Sequence, residues 1–207
     1  MVTVWGRNNS INVQKVMWTV AEIGLDHERH DKGGPYGGLD DPGFLAMNPN
    51  ARIPVLQDGG LVLWESNATV RYLAACYDEG GLWDADPAKR ALSDRWMDWQ
   101  ATTLNPPMFT LFMNLIRLPE PQRDPKAASA AAKALEPLWA ILDERLADAP
   151  YVAGDRLTIG DVPLGCAAWR WSAMPFERPD LPNLAAWLER LKERPAFEAH
   201  VMAPVLS

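Results

Sequence analysis

The apolar positions change period along the chain. "MVTVW" at the start is a run short enough for a buried strand, and the polar stretch "GRNNSIN" (residues 6–12) follows it. Val13, Val16, Met17, Val20 and Ala21 then recur at i, i+3, i+4, i+7 and i+8, which is one face of a helix closing near Gly24. A short strand is expected over residues 27–31. "KGGPYGGLDDPG" (residues 32–43) is punctuated by glycine and proline as an irregular loop. "RIPVLQDGGLVLWES" reads as a hairpin, with strands over residues 53–57 and 61–64 around the turn Asp58-Gly59-Gly60. Ser66 stands where it would cap the helix of "NATVRYLAACY".

From Pro87 onward no strand pattern recurs. Helical patterns cover residues 88–116, 126–146, 159–172 and 184–193, separated by turns rich in Pro, Asp and Gly. Pro106-Pro107 inside the first of them is expected to kink or break it. "KAASAAAKALEPL" is strong helix former and not low-complexity disorder. The expected fold class is therefore an α/β domain, β-α-β-α-β-β-α with a mixed four-stranded sheet over residues 1–77, a linker over 78–87, and an all-α domain over 88–207. A strand, crossover helix and second strand imply a parallel pair, to which the hairpin adds antiparallel strands. Thr158 followed by Asp161 resembles a capping box, with Leu157 and Val162 as its staple. That signal belongs to folding and not to a site.

Composition narrows the function classes. Nearly half of the 207 residues are apolar and 23% are charged, the profile of a folded chain with a sizeable core. A net charge of -7 and a pI near 5.0 leave no basic footprint for nucleic acid and disfavour anionic membrane surfaces. The first twenty residues hold no signal-peptide pattern, and no apolar run reaches 18 residues, so a cytoplasmic protein is expected. Cys76 and Cys166, in separate helices and outside any CxxC, are expected to be buried thiols. His27 and His30 on one strand face opposite sides, so no metal is expected there. "GGPYGG" lacks the Gly-Lys-Ser/Thr ending of a phosphate loop and reads as a flap.

"GRNNSIN", "NPNARIPVL", "WESNATVRYLA" and "AGDRLTIGD", in this order and at these separations, resemble the glutathione transferases over essentially the whole chain. The resemblance is to bacterial, phi/theta-like, serine-type members: a thioredoxin-like domain followed by an all-helical one, working as a cytoplasmic homodimer in detoxification. It implies glutathione as co-substrate, no metal, and a small electrophilic substrate attacked by the glutathione thiolate. It also implies a cis bond between Ile53 and Pro54, which presents the backbone of Ile53 to the peptide as an added strand. Ser66 and its backbone N–H would hold the γ-glutamyl carboxylate at a helix N-terminus, with Glu65 facing the amino group.

Ser10 stands four residues after Gly6, the serine-type spacing, at the start of the first helix. Its hydroxyl would donate a hydrogen bond to the glutathione sulfur. Such a bond to a charged acceptor contributes roughly 1.5–3 kcal/mol, and a helix N-terminus about 0.3–1. Together these take about 1–3 units off a thiol pKa near 8.5. Asn12 and Asn9 are the alternative donors, and plain helix capping is the alternative role for Ser10. Relatives place a Lys, His or Gln near the second helix for the glycine carboxylate. Leu39, Asp40 and Asp41 stand in the matching stretch, so Lys32 or Arg52 is expected to substitute. The second-substrate pocket would draw on Asn8, Met108, Phe109, Phe112 and Met113, although such a stripe also suits a core. Two other readings stay open on this scaffold: a glutathione-dependent isomerase, peroxidase or dehalogenase, and a non-catalytic ligand-binding module.

Overall fold

The computed structural model describes residues 1–207. β1 (Val2–Trp5), α1 (Ile11–Glu22), β2 (His27–His30), α2 (Pro42–Met47), β3 (Val55–Asp58), β4 (Leu61–Trp64) and α3 (Ser66–Tyr77) follow one another in the expected order. The four strands make one sheet in the order β2-β1-β3-β4, with β1 parallel to β2 and antiparallel to β3, and β3 antiparallel to β4. Alternation sets its faces. Val2, Val4 and Leu56 point inward to a core shared with Val13, Val16, Met17 and Val20 of α1 and Leu73 of α3. α1 ends as the sequence implies. Gly24, at φ 65°, donates to the carbonyl of Ala21, and Leu25 donates to that of Val20, a paired closure that needs a left-handed residue.

The remaining elements are helical: α4 (Pro87–Trp99), α5 (Asn105–Phe112), α6 (Pro125–Ala147), α7 (Asp161–Ala173), α8 (Pro182–Lys192) and α9 (Pro195–Phe197). Asp86 and Asp124 cap α4 and α6 through their carboxylates, each ahead of a proline whose missing N–H costs nothing at that place. Pro106-Pro107 does not break the helix. The turn before it widens over Gln100–Leu104, where the N–H of Asn105 reaches the carbonyl of Gln100 five residues back. A second wide turn, Met113–Arg117, closes α5.

The chain groups into two compact units, Met1–Trp83 with Pro195–Val205, and Asp84–Arg194 with Leu206–Ser207. Residues 78–83 thus belong to the first unit, and residues 195–205 return to it. The return has a packing cause: Phe197 is fully buried with its ring edge-on to Trp18 of α1 at 4.8 Å, and Val201 is buried beside it. Cys166 is buried as expected, but Cys76 is exposed, because it lies on the solvent face of the last turn of α3. No helix is long and apolar enough to cross a membrane.

Candidate functional site

The register of the sheet assembles the site. Trp5 pairs with His30 on one side and with Val55 on the other, and Val55 pairs with Trp64. These four residues form one row across the sheet. β1 and β2 leave at this row, β3 enters at it and β4 leaves at it. Just beyond stand residues 6–10, Lys32, residues 52–54 and residues 65–66, four segments distant in sequence that pairing alone brings to one edge.

Gly6 is the tightest point of the edge. A Cβ there would lie 2.5 Å from Val13 Cγ2 and 3.1 Å from Ile53 Cβ, and its φ of 150° is one that side chains rarely adopt. Its N–H donates to the carbonyl of His30 at 2.8 Å, and its own carbonyl accepts from Arg29 Nη1 at 2.8 Å. The polar loop after it is also ordered: Arg7 Nη1 donates to Asn9 Oδ1 at 2.6 Å, and the N–H of Ser10 to the carbonyl of Arg7 at 3.2 Å.

Ser10 takes the N-cap backbone position of α1 with an extended backbone (φ -79°, ψ 124°), yet its side chain makes no capping hydrogen bond. The hydroxyl is half-exposed at the positive end of a twelve-residue helix. Asn12 is exposed in the first turn, and its Oδ1 accepts from the hydroxyl of Ser66 at 3.2 Å. Ser66 is not the cap of α3, as the sequence implied, but its first helical residue. Glu65 takes the cap position at φ 72°, turning the chain so sharply that Ser66 points at α1. A non-glycine residue held in the left-handed region is costly and concentrates at functional sites. The exposed Glu65 carboxylate has no partner within the chain, while its carbonyl accepts from the N–H and Oγ of Thr69.

The Ile53–Pro54 peptide is cis. The loop leading to it is organised by Asn48, which is 3% exposed. Asn48 Nδ2 donates to the carbonyl of Arg52 at 2.8 Å, and its Oδ1 accepts from the N–H of Asn50 at 3.0 Å. The exposed guanidinium of Arg52 carries no ion pair or hydrogen bond. Lys32, by contrast, is committed to Asp41 at 2.8 Å. Gly38 makes room for that pair, since a Cβ there would lie 2.4 Å from Lys32 Nζ. One of the two acids of "LDD", Asp41, is therefore already ion-paired.

Lys15 and Asn67 carry no role in the sequence reading. Lys15 is 4% exposed, on the face of α1 that also carries Asn12, and its Nζ donates to Asn67 Oδ1 at 3.2 Å. The signal for it is a lysine inside an otherwise buried run, Val13 to Val20.

The expected pocket residues separate. Met108 and Phe112 are buried in the helical unit, Met113 is half-buried, and Phe109 projects from its helix at 59% exposure. Arg170 and Arg117 lie over the ring of Phe112 at 4.3 and 5.3 Å, so Phe112 is a packing residue there. Asn8 is exposed in the opening loop. No group of three or more His, Cys, Asp or Glu side chains is placed to hold a metal ion.

Residues 1–75 match the family model for the glutathione S-transferase N-terminal domain, and residues 125–190 that for the glutathione S-transferase C-terminal domain. Glutathione S-transferase GstB of Escherichia coli strain K12 is 42% identical over 207 aligned residues, covering 99% of this chain and 100% of the relative. Glutathione S-transferase 3 of Zea mays is 34% identical, covering 97% of this chain and 93% of its own. Among solved structures, the theta class glutathione S-transferase from Xanthomonas axonopodis pv. citri, with glutathione bound, superposes with a TM-score of 0.96. It is 47% identical and covers 100% of this chain and 99% of that one.

Proposed function

Since this chain belongs to the glutathione S-transferase family, we propose that it holds glutathione along the sheet edge described above and directs the thiolate at a small electrophilic molecule. The observation that carries the reading is Ser10: a hydroxyl at a helix N-terminus that is not spent on capping its own helix. Ser10 donates a hydrogen bond to the sulfur and so favours thiolate over thiol, with the α1 N-terminus adding to the same effect. The chain needs no nucleophile of its own. The thiolate forms the new carbon–sulfur bond, and the displaced group leaves with the bonding pair, or a proton adds where nothing leaves.

The other assignments follow the edge. The N-terminal end of α3, with its partial positive charge and Ser66, suits the γ-glutamyl carboxylate, and the unpartnered Glu65 suits the adjacent ammonium. The backbone of Ile53 suits the cysteinyl residue as an added strand. Arg52 is the group for the glycine carboxylate, because Lys32 is already paired with Asp41. That pairing also weakens the case for a ligand-binding module, which rested on the "LDD" acids. Of the outlying residues, Asn8 in the first unit and Phe109 in the second are the exposed candidates for contact with the second substrate, while Met108 and Phe112 are buried in the helical unit and Met113 is half-buried there. Exposed Leu61, Val62, Trp64 and Tyr77 give the first unit an apolar surface suited to a second copy, and so to a homodimer. The cytoplasm, which keeps thiols reduced, suits this chemistry.

The test is a pH titration of glutathione bound to the purified protein, following thiolate absorbance in the ultraviolet, with Ser10→Ala alongside. A thiolate forming at least one unit below free glutathione, and returning toward it in the variant, is expected. An unshifted thiol in the native protein refutes the role of Ser10.

A further inference from the structure

We infer that Lys15 is a positioning residue that locks the thiolate end of the site to the carboxylate end. The inference rests on the glutathione reading above and deepens it. One extended tripeptide would touch the N-terminus of α1 with its sulfur and the N-terminus of α3 with its carboxylate. Both helices must then keep a fixed relative position, since misplacement of a reacting group by about 1 Å costs on the order of a hundredfold in rate.

The structure places two side-chain bonds at that junction. Asn12 and Lys15, three residues apart, lie on one face of α1. Asn12 Oδ1 accepts from Ser66 Oγ at 3.2 Å, and Lys15 Nζ donates to Asn67 Oδ1 at 3.2 Å. Ser66 and Asn67 are the first two residues of α3. Successive first-turn residues of one helix are therefore pinned to one stripe of the other.

The two bonds are unequal. Asn12 is exposed, and water competes for its bond with Ser66. Lys15 is 4% exposed and its partner Asn67 half-buried, so this bond is shielded on the lysine side and carries a charged donor. The backbone beneath it is also held, because Thr19 Oγ, fully buried, donates to the carbonyl of Lys15 at 2.9 Å. Lys15 stands five residues after Ser10 and reaches the residue next to Ser66.

Two single variants and their double test this. Lys15→Met keeps the apolar stem and loses the donor, and Asn67→Ala removes the acceptor on a half-buried residue and leaves the lysine in place. Each is assayed for glutathione KM, for kcat at saturating glutathione and for the pH at which bound glutathione ionises, with a thermal melt beside it. The expected result for each single variant is a fall in kcat of about threefold to tenfold. A rise in the thiol pKa of about half to one unit accompanies it, one unit being tenfold in thiolate. The double variant should lose no more than the worse single one, as two partners of one bond do.

Additive losses overturn the inference, and so does a lowered melting temperature with unchanged kcat and thiol pKa. That last pattern would mark the bond as structural only. The two readings fail separately. A native protein that neither binds nor ionises glutathione refutes the glutathione reading, whereas normal native ionisation that the variants leave untouched refutes the role of Lys15 alone.

Discussion

Replacing Asp161 by alanine should destabilise the protein by about 3 kcal/mol at pH 7, and the figure follows from its partners. The carboxylate is fully buried at the start of α7, and both oxygens are used. Oδ1 accepts from the N–H of Val152 at 3.0 Å and from Trp187 Nε1 at 3.1 Å. Oδ2 accepts from the N–H and the hydroxyl of Thr158 at 2.9 and 3.1 Å. The hydroxyl can rotate to another acceptor, but the other three donors cannot. Each buried donor left unsatisfied costs about 1–3 kcal/mol, so three cost about 6 at the centre of the range. Against this, the variant no longer buries a charge. Burial pushes the carboxyl from its usual 3.8 up to about 6 in spite of the four donors. At 1.36 kcal/mol per unit that relief is about 3 kcal/mol. The lost hydrogen bonds win by the remaining 3, roughly 6–12 °C in melting temperature for a chain of this size.

The same numbers give a pH dependence. The folded protein holds the Asp161 proton to higher pH than the unfolded chain does, so this group's contribution is fullest below the unfolded value. It is lost as pH rises through about 6. Native protein minus Asp161→Ala should therefore widen by about 1 kcal/mol on going from pH 7 to pH 5. Equilibrium urea unfolding followed by tryptophan emission at the two pH values reads both effects. A loss below 1 kcal/mol at pH 7, or a gap that narrows on acidification, refutes the account.

Two further predictions concern the first unit. Arg52→Ala should raise the KM for glutathione about tenfold, the loss of one charge-assisted contact, and should leave the KM for glutathione esterified at its glycine carboxylate unchanged. An equal penalty on both forms would take Arg52 away from that carboxylate. His200, in the segment that returns to α1, is held below the ordinary histidine range by burial and then by His27 and Arg29. Its contribution is present above the unfolded value of 6.5 and is lost as pH falls through the folded value. Amide exchange in residues 195–205 should thus quicken at pH 5.5 relative to pH 7.5, once corrected for intrinsic rate, and His200→Gln should abolish the difference; unchanged protection would sink the idea.

Element order, hairpin and sheet topology were legible because each rests on local signals. A short apolar run gave β1, a 3.6-residue period gave α1, and Asp58-Gly59-Gly60 gave the turn between β3 and β4. The Asp161 carboxylate's contact with Thr158 was equally legible, although Gly160 and not Thr158 takes the N-cap position of α7. Its other contacts were not: Val152 and Trp187 reach the same carboxylate from nine residues before and 26 residues after, and no local pattern announces either. Ser66 shows the opposite failure. Local chemistry made it a helix cap, and the left-handed Glu65 displaced it by one position and gave its hydroxyl to Asn12. For Pro106-Pro107 the sequence predicts a kink or a break, because it shows the missing donors and not the widened turn that accommodates them. Cys76 was taken for a buried thiol because residue type alone does not say which face of α3 it occupies.

The site itself follows from register more than from reactive residues. Once Trp5 pairs with Val55 and Val55 with Trp64, the loop after β1, the cis peptide before β3 and the turn into α3 must meet at one sheet edge. The register is in turn fixed by burial. A slip of one residue would carry Val2, Val4 and Leu56, all fully buried, to the opposite face. The fold's hydrophobic pattern therefore positions two helix N-termini and a free backbone edge in one place. On the proposed function, such an edge holds an extended peptide with two carboxylates and needs no nucleophile of its own. On that same reading, the polar loop after β1 looks unreactive in sequence because it has only to orient one hydroxyl toward a sulfur that the substrate supplies. Substitutions that shift the register or loosen the α1–α3 seam should accordingly damage catalysis as much as loss of the Ser10 hydroxyl does.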